Sequence, residues 1–246
     1  MRNLVLDPDC IENNRVVVDG ELYHYLKDVR RVREGSRIDA LIGRRHYSLV
    51  VTSIITGRIV FGIETSRDTH SRYVSITVYQ GLLKSKKMDL VISKLAEIGV
   101  GDFFPLKMER TIPQIKLESE KISRWRRLVR EAAKVSGYED VMNVHDPATL
   151  VDAVGVVERA GGGTVLLFNA SGSGEHLMPF LQKLSVEGKP SFHLFFGPEG
   201  GFTDEEIDTV SGMGGALITM GEYTMRAETA SIIGAGFIRI FYSGRQ

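Results

Sequence analysis

The fold is decided between residues 195 and 230, where the chain contains two short loops: Phe196-Gly197-Pro198-Glu199-Gly200-Gly201-Phe202 and Gly221-Glu222-Tyr223-Thr224-Met225-Arg226-Ala227-Glu228-Thr229-Ala230. Residues 197–201 form the first loop and residues 221–226 the second loop. Each loop follows an apolar run typical of a buried strand and precedes a helical pattern. Because a helix N-terminus leaves backbone N–H groups unpaired, α/β proteins bind ligands where a strand, a glycine-rich loop and a helix meet. The stretch therefore predicts an α/β fold in which both loops surround one small ligand.

The first loop precedes a helix start that already bears negative charge. Thr203 and Glu206 have the spacing of a capping box, and Asp204 and Glu205 fall in the first helical turn. These acids disfavour a phosphate at that position, and the Gly-Lys-Ser/Thr of a P-loop is absent from the sequence. The pattern favours a neutral or cationic ligand held by backbone groups. The alternative is a tight structural turn.

The second loop places Arg226 two residues before Glu228, with Thr229 beside them. Two interpretations stay open. One is a structural ion pair, and the other is a guanidinium that stabilises an anion beside an acid–base carboxylate. The six histidines form no spaced cluster, so we expect no catalytic metal.

The composition is that of a soluble globular protein, with 43% apolar and 25% charged residues in a chain of 246. No apolar run approaches the ~18 residues of a membrane helix, and the N-terminus lacks the apolar core of a signal peptide. Cys10 is the only cysteine, so an internal disulfide is impossible. We therefore expect a cytoplasmic protein without membrane segments.

The two parts of the chain have different patterns, which predicts domains at residues 1–70 and 73–246. Residues 1–70 contain short β-branched runs separated by turn signals, with one helical pattern at residues 21–32, and so predict a small β-barrel. The polar residues 67–72 are the expected linker. From residue 73 onward strands alternate with helices, including a helix capped by Ser85 and another beginning near Glu175. This alternation predicts a parallel sheet with helices on both faces.

Positive charge is concentrated in two segments. Residues 24–47 contain seven Lys and Arg against three acidic residues, and residues 84–134 contain thirteen against seven. Arginines interleaved with aromatic residues are typical of an RNA-binding face, because rings stack on bases and guanidinium groups bind phosphate. Ordinary solvated surface is the alternative. The predicted RNA-binding residues are Arg30, Arg31, Arg33, Arg37, Arg44, Arg45, Lys84, Arg126 and Arg130.

The two loops resemble the motifs of the RsmE family, bacterial 16S ribosomal RNA uridine-N3 methyltransferases of the SPOUT superfamily. The family's second motif is usually Leu-Arg-Thr-Glu-Thr-Ala, and here it is Met-Arg-Ala-Glu-Thr-Ala at residues 225–230. The segment Lys-Leu-Ala-Glu-Ile-Gly-Val at residues 94–100 also resembles the family, and the resemblance covers the whole chain. The chain departs from the family pattern at Met225, Ala227, Val135 and Tyr138.

The resemblance implies a fold, a cofactor and partners. It implies a SPOUT domain with a deep trefoil knot, preceded by a PUA-like RNA-binding barrel. It also implies a homodimer that binds S-adenosylmethionine and acts on 16S rRNA, within the assembled small ribosomal subunit. Two alternatives stay open: a SPOUT enzyme that methylates another base or a ribose 2′-hydroxyl, and a non-catalytic RNA-binding assembly factor.

The same resemblance implies roles for residues of the loops. Arg226 would stabilise the developing uracil anion, and Glu228 or Glu199 would accept its proton. Asn169 and Ala170 are included in the cofactor site by position, because they follow another apolar strand. The predicted cofactor-binding residues are Asn169, Ala170, Phe196, Gly197, Pro198, Gly200, Gly201, Met220, Gly221, Tyr223, Met225 and Thr229.

Overall fold

The computed structural model describes residues 4–43, 45–68, 74–111, 119–136, 141–170, 174–185 and 189–243. The chain divides into two compact units, the first built mainly from Met1–His70 and the second from Ser71–Ala132 and Met142–Gln246. In the described part of the chain, no helix has the length and apolar character needed to cross a membrane.

The first unit contains a six-stranded sheet with strand order β1-β4-β5-β6-β3-β2. Neighbouring strands are antiparallel except β1 and β4, which are parallel. Alternate side chains of the strands, such as Val16, Leu49 and Phe61, fill its core because successive residues point to opposite faces. The elements are β1 (Leu4–Leu6), β2 (Ile11–Glu12), β3 (Arg15–Asp19), α1 (Gly20–His24), β4 (Arg37–Ile42), β5 (Arg45–Ile55) and β6 (Arg58–Asp68).

The helix of the first unit is shorter than predicted. The α-helical part ends at His24, a π-helical turn follows at Tyr25–Val29, and Arg31 has a positive φ of 51°. A wider turn followed by a left-handed residue cannot continue an α-helix, so the helix predicted for residues 21–32 is wrong beyond its first turns.

The second unit contains a parallel sheet, as predicted, and within the described residues this sheet has eight strands. The strand order is β10-β8-β7-β13-β11-β14-β12, and β9 pairs with β8. The strands are β7 (Ser75–Gly81), β8 (Asp102–Lys107), β9 (Asn143–Val144), β10 (Ala148–Thr149), β11 (Thr164–Phe168), β12 (Glu175–His176), β13 (Ser191–Phe196) and β14 (Ala216–Thr219). The helices are α2 (Ser85–Ile98), α3 (Ser119–Ser136), α4 (Leu150–Arg159), α5 (Leu177–Lys183), α6 (Asp204–Gly212) and α7 (Ala227–Ser243).

Helices cover both faces of this sheet, which confirms that prediction. On one face, Tyr79 and Phe195 pack in a cluster with residues of α4 and α6. On the other face, Phe168 and Phe196 stack with ring centroids 4.4 Å apart beneath Gly234 of α7. Adjacent residues of a strand alternate between faces, so the central strands are apolar on both sides.

Three helix starts in the second unit differ from the sequence prediction. The N-cap of α2 is Lys84, which makes no side-chain capping bond, so the prediction that Ser85 caps this helix is wrong. Helix α5 begins at Leu177 because Glu175 and His176 pair with β14 instead. Helix α4 was not predicted, since its valines and its glycine have low helix propensity, and a capping box of Thr149 and Asp152 starts it.

Candidate functional site

The predicted ligand loops lie at one edge of the parallel sheet. Strands β7, β13, β11 and β14 are consecutive neighbours and run in the same direction, so the segments that follow them meet at their carboxyl ends. The first loop follows β13 and the second loop follows β14. The backbone N–H of Asn169, after β11, donates to the carbonyl of Ile218 in β14 at 3.0 Å. The structure therefore brings the two loops and the Asn169 segment to one place.

A buried glutamine of β7 holds the start of the first loop. Gln80 of β7 is completely buried, and its Nε2 donates to the carbonyl oxygen of Gly197 at 3.0 Å. The Ser231 hydroxyl of α7 donates to Gln80 Oε1. A Cβ on the next residue, Gly81, would lie 2.5 Å from the backbone nitrogen of Pro198, so only glycine allows the loop to pack this closely. Strand β7, the first loop and α7 are thereby joined.

Polar side chains fix the other end of the first loop. Arg110 Nη1 donates to the carbonyl oxygens of Gly200 at 3.3 Å and Phe202 at 2.8 Å. The predicted capping box is confirmed, because the Glu206 N–H donates to Thr203 Oγ1 at 3.2 Å and the Thr203 N–H to Glu206 Oε2 at 2.9 Å. The first loop is thus anchored at both ends.

A lysine that the sequence analysis missed joins the two loops electrostatically. Lys87 of α2 places its amine 3.2 Å from Glu199 Oε1 and 3.5 Å from Glu228 Oε2. We call these three residues the Lys87 cluster. Lys87 lies in a run with Lys84 and Lys86, and no local pattern distinguishes it from its neighbours.

The two carboxylates of the Lys87 cluster have different surroundings. Burial of Glu199 opposes its ionisation, but hydrogen bonds from its own backbone N–H, the Lys87 amine and the Lys84 N–H outweigh burial and lower the pKa of Glu199. Glu228 is more buried, with 8% of its surface exposed, and its Oε2 accepts no hydrogen bond from the described residues. Such a buried acceptor is energetically costly unless a charge or a ligand compensates it.

The second loop is exposed and weakly held. Residues 221–224 are exposed, and Tyr223 retains 86% of its accessible surface. Arg226 is also exposed, and within the described part of the chain its guanidinium pairs with no carboxylate. Glu228 pairs with Lys87 instead, so the structural Arg226–Glu228 ion pair is not observed. A free guanidinium at this edge is available to an anion.

A cavity of about 330 Å³ opens beside the second loop. Its wall includes Met220 and Gly221, which were predicted to bind the cofactor, together with Leu177 and the α7 residues Ile233 and Phe237. Its volume is at the lower end of the range for ligand pockets, about 300–1,000 Å³. The mostly apolar wall suits a flat ring more than a charged group.

The other predicted cofactor residues lie at the same edge with different exposure. Phe196 is 2% exposed and packs under α7, and Pro198 is also buried. Asn169 and Thr229 are partly buried, whereas Ala170 and Gly200 are exposed. Their contact with a cofactor remains a prediction.

The predicted RNA-binding arginines differ in how far they are already paired. Arg37 forms a two-pronged pair with Glu64, with N–O distances of 2.9 to 3.1 Å, and Arg45 donates to Ser66 at 3.3 Å. Arg126 donates to the carbonyl of Val144 and to Asp146, each at 3.4 Å. Exposed residues are Arg31, Arg33 and Lys84, partly buried ones are Arg30 and Arg130, and Arg44 lies outside the described residues.

Known proteins are similar to this chain over most of its length. Residues 70–239 match the model of a family described as RNA methyltransferase domain. Ribosomal RNA small subunit methyltransferase E 2 of Borreliella burgdorferi is 25% identical over 245 residues, which are 97% of each chain. Ribosomal RNA small subunit methyltransferase E of Aquifex aeolicus is 27% identical over 221 residues, which cover 89% of this chain and 91% of that protein.

Solved structures share the fold. Ribosomal RNA small subunit methyltransferase E from Neisseria gonorrhoeae, bound to S-adenosyl methionine, has a TM-score of 0.74 at 22% identity and covers 98% of both chains. A methyltransferase from Legionella pneumophila in complex with the same cofactor has a TM-score of 0.72 at 22% identity, again over 98% of both chains. The predicted mixed α/β fold is confirmed.

Proposed function

Because a match over residues 70–239 places this chain in the RNA methyltransferase domain family, we propose that it transfers a methyl group from S-adenosylmethionine to ribosomal RNA of the small subunit. Relatives that align with nearly the whole chain are small-subunit rRNA methyltransferases by name. Within this molecule, the proposal is supported by the two loops, which meet at one edge of the sheet. Lys87 contacts one carboxylate from each side of this site, Glu199 and Glu228.

The finer architecture is part of this proposal. The parallel sheet and the loops at its carboxyl edge fit a SPOUT domain whose C-terminal segment forms a trefoil knot. The six-stranded sheet of the first unit, with its exposed Arg31 and Arg33, fits a PUA-like RNA-binding domain. In this proposal the first domain contacts RNA and the second domain performs the reaction.

The residues at the sheet edge fit S-adenosylmethionine. This cofactor combines a flat base with a positively charged sulfonium, and the edge offers a mostly apolar cavity together with the carboxylate of Glu199. Met220 and Gly221 would line the base site, and the backbone of the first loop would hold polar groups of the cofactor. When bound, the cofactor supplies an electrophilic methyl group.

The acceptor in this proposal is N3 of a uridine in 16S rRNA. N3 bears a proton at neutral pH, so the protein must remove this proton and stabilise the anion that results. The guanidinium of Arg226, which pairs with no carboxylate among the described residues, would donate to a carbonyl oxygen of the uracil anion. Glu228 or Glu199 would accept the proton. A stacked target base would first have to leave its stack.

The proposal extends to a homodimer acting in the cytoplasm, where the assembled small subunit provides the RNA. Ile233 and Ile240 lie seven residues apart on α7, thus on one face, and are 45% and 74% exposed. Leu90 of α2 is 45% exposed as well. Exposed apolar groups in such an arrangement are typical of an interface between subunits.

Mass mapping of nucleosides tests the proposed reaction. Small subunits and free 16S rRNA lacking the modification are incubated with the protein and isotope-labelled cofactor, and the Arg226→Ala variant serves as the matched control. We expect one labelled N3-methyluridine in 16S rRNA. Label on another base or on a ribose would identify the related SPOUT reaction instead.

Calorimetry with S-adenosylmethionine separates an enzyme from an RNA-binding assembly factor. The proposed enzyme binds the cofactor without RNA, because both loops and the cavity belong to the free protein. RNA binding without any cofactor binding or methylation would overturn the proposed function.

A further inference from the structure

One ammonium group faces a carboxylate from each side of the candidate site. The Lys87 amine lies between Glu199 of the first loop and Glu228 at the start of α7. The side chains of Lys87, Glu199 and Glu228 are 32%, 24% and 11% exposed, respectively. Because solvent screens shielded charges weakly, this ammonium attracts both carboxylates and helps to hold them in place.

The bonding of the two carboxylates points to different tasks. Glu199 accepts the backbone N–H of Lys84 at 3.4 Å in addition to its contact with Lys87. Hydrogen bonds to an ionised carboxylate make it a weaker base. Among the described residues, Glu228 Oε2 accepts no hydrogen bond and forms its ion pair with Lys87. Glu228 is therefore the carboxylate with an oxygen that no hydrogen bond within the described part of the chain occupies.

We propose that Glu228 is the proton acceptor, that Lys87 is a positioning residue that holds and orients the Glu228 carboxylate, and that Glu199 anchors the first loop without taking part in proton transfer. This inference rests on the proposed function. In the step, the N3–H bond of uracil breaks, its proton passes to the Glu228 carboxylate and its electron pair stays on N3. That electron pair forms the new N–C bond to the donor methyl group, while the electron pair of the broken S–C bond returns to sulfur.

Isosteric variants of the two carboxylates test the assignment. Loss of a general base typically costs about 10²- to 10⁴-fold in rate, so we expect Glu228→Gln to lower kcat by that factor. Its dissociation constant for S-adenosylmethionine, measured by calorimetry, should stay near that of the wild type. Glu199→Gln should weaken cofactor binding and largely keep kcat. A larger kcat loss in Glu199→Gln than in Glu228→Gln would overturn the assignment.

Lys87 is tested by charge removal and by rescue. Lys87→Met should lower kcat, and Lys87→Arg should recover most of it because the positive charge returns near Glu228. Lys86→Met is the matched control, since Lys86 is exposed on the same helical turn. A role of Lys87 in binding RNA phosphate would instead raise the KM for RNA at unchanged kcat, and this result would overturn the positioning role.

A double-mutant cycle shows through which carboxylate Lys87 acts. In the Glu228→Gln background, Lys87→Met should lower kcat little further, whereas in the Glu199→Gln background it should keep its full effect. Independent, additive losses in both backgrounds would contradict the inference. If Lys87→Met does not fold, as judged by circular dichroism, the kcat values of the two Gln variants and of Lys87→Arg test the inference.

The inference and the proposed function can fail separately. If the wild-type protein methylates RNA but the variants do not show the expected kcat values, this inference alone is wrong. If the wild-type protein is inactive, the proposed function is wrong as well.

Discussion

The two loops at the sheet edge are built in opposite ways. Several bonds hold the first loop and its flanks: Gln80 donates to the carbonyl of Gly197, Arg110 donates to two carbonyls, and a capping box begins the helix that follows. The second loop is exposed at residues 221–224 and ends in Arg226, whose guanidinium has no carboxylate partner in the described part of the chain.

This difference indicates that the first loop forms a rigid part of the site and that the second loop provides a group for the reactants. A loop that must present backbone groups at fixed positions benefits from rigid anchors, because preorganised groups need no rearrangement during the reaction. A side chain that must bind a developing charge benefits from having no competing partner inside the protein. On this view the first loop shapes the cofactor site, and the second loop supplies the group that meets the RNA.

Among the tests of this contrast between the loops, the substitution of Arg226 should have the strongest effect. Removal of a group that stabilises a developing anion typically lowers kcat by about 10²- to 10³-fold, and we expect this loss for Arg226→Ala. Cofactor affinity and thermal stability should stay near the wild-type values, because the guanidinium is exposed and unpaired with any described carboxylate. Steady-state kinetics, calorimetry and a melting curve measure the three quantities.

Arg226→Lys is the control that keeps the positive charge but lacks the planar guanidinium and its paired N–H donors. It should recover only part of the lost rate, since an ammonium cannot donate in the same paired geometry. If Arg226→Ala had the kcat of the wild type, the second loop would provide no reacting group. The proposed difference in role between the two loops would then be wrong.

The next largest effect concerns the packing under the first loop. The new methyl group in Gly81→Ala would lie 2.5 Å from the Pro198 nitrogen and 2.9 Å from the carbonyl carbon of Gly197, both of which are backbone atoms. Overpacking of this kind typically costs about 1–3 kcal/mol in the free energy of unfolding. We expect that cost in urea unfolding, and a weaker affinity for S-adenosylmethionine in calorimetry.

Gly212→Ala is the matched control for this substitution. A Cβ at Gly212 would meet no atom within 4 Å, so stability and cofactor affinity should both be nearly unchanged. Unchanged cofactor affinity in Gly81→Ala would show that the anchored loop does not shape the cofactor site.

Local patterns predicted the framework of the second unit well, and long-range contacts account for what they missed. The capping box at Thr203 and the strand before it depend on residues close in sequence, so both were predicted correctly. The bonds of Gln80 to Gly197 and of Lys87 to Glu199 join residues more than 100 positions apart. No spacing rule links such residues, because their proximity depends on β7 lying beside β13 in the sheet.

The candidate site divides in the same manner. Both loops, and with them Arg226 and Glu228, could be chosen because each loop lies between an apolar strand pattern and a helical pattern. The pairing of Glu228 with Lys87 could not, because these residues are far apart in sequence and meet only through the packing of α2 against α7.

The smallest expected effect concerns the acid stability that Glu199 gives to the first loop. The pKa of Glu199 is lowered from the ordinary value of 4.5, because hydrogen bonds to the carboxylate outweigh its burial. A carboxylate with a lowered pKa stabilises the folded protein fully above the unfolded-state value, and this contribution disappears as the pH falls through the folded-state value.

The difference in free energy of unfolding between wild type and Glu199→Gln should therefore be largest near pH 7 and shrink below about pH 4.5. Urea unfolding at several pH values measures it. Thr224→Ala in the exposed second loop is the control, and its difference from wild type should be near zero at every pH. A Glu199→Gln difference that stays constant down to pH 3.5 would mean that the charge of Glu199 does not anchor the first loop, and that the contrast between the loops depends on the uncharged contacts of Gln80 and Gly81 alone.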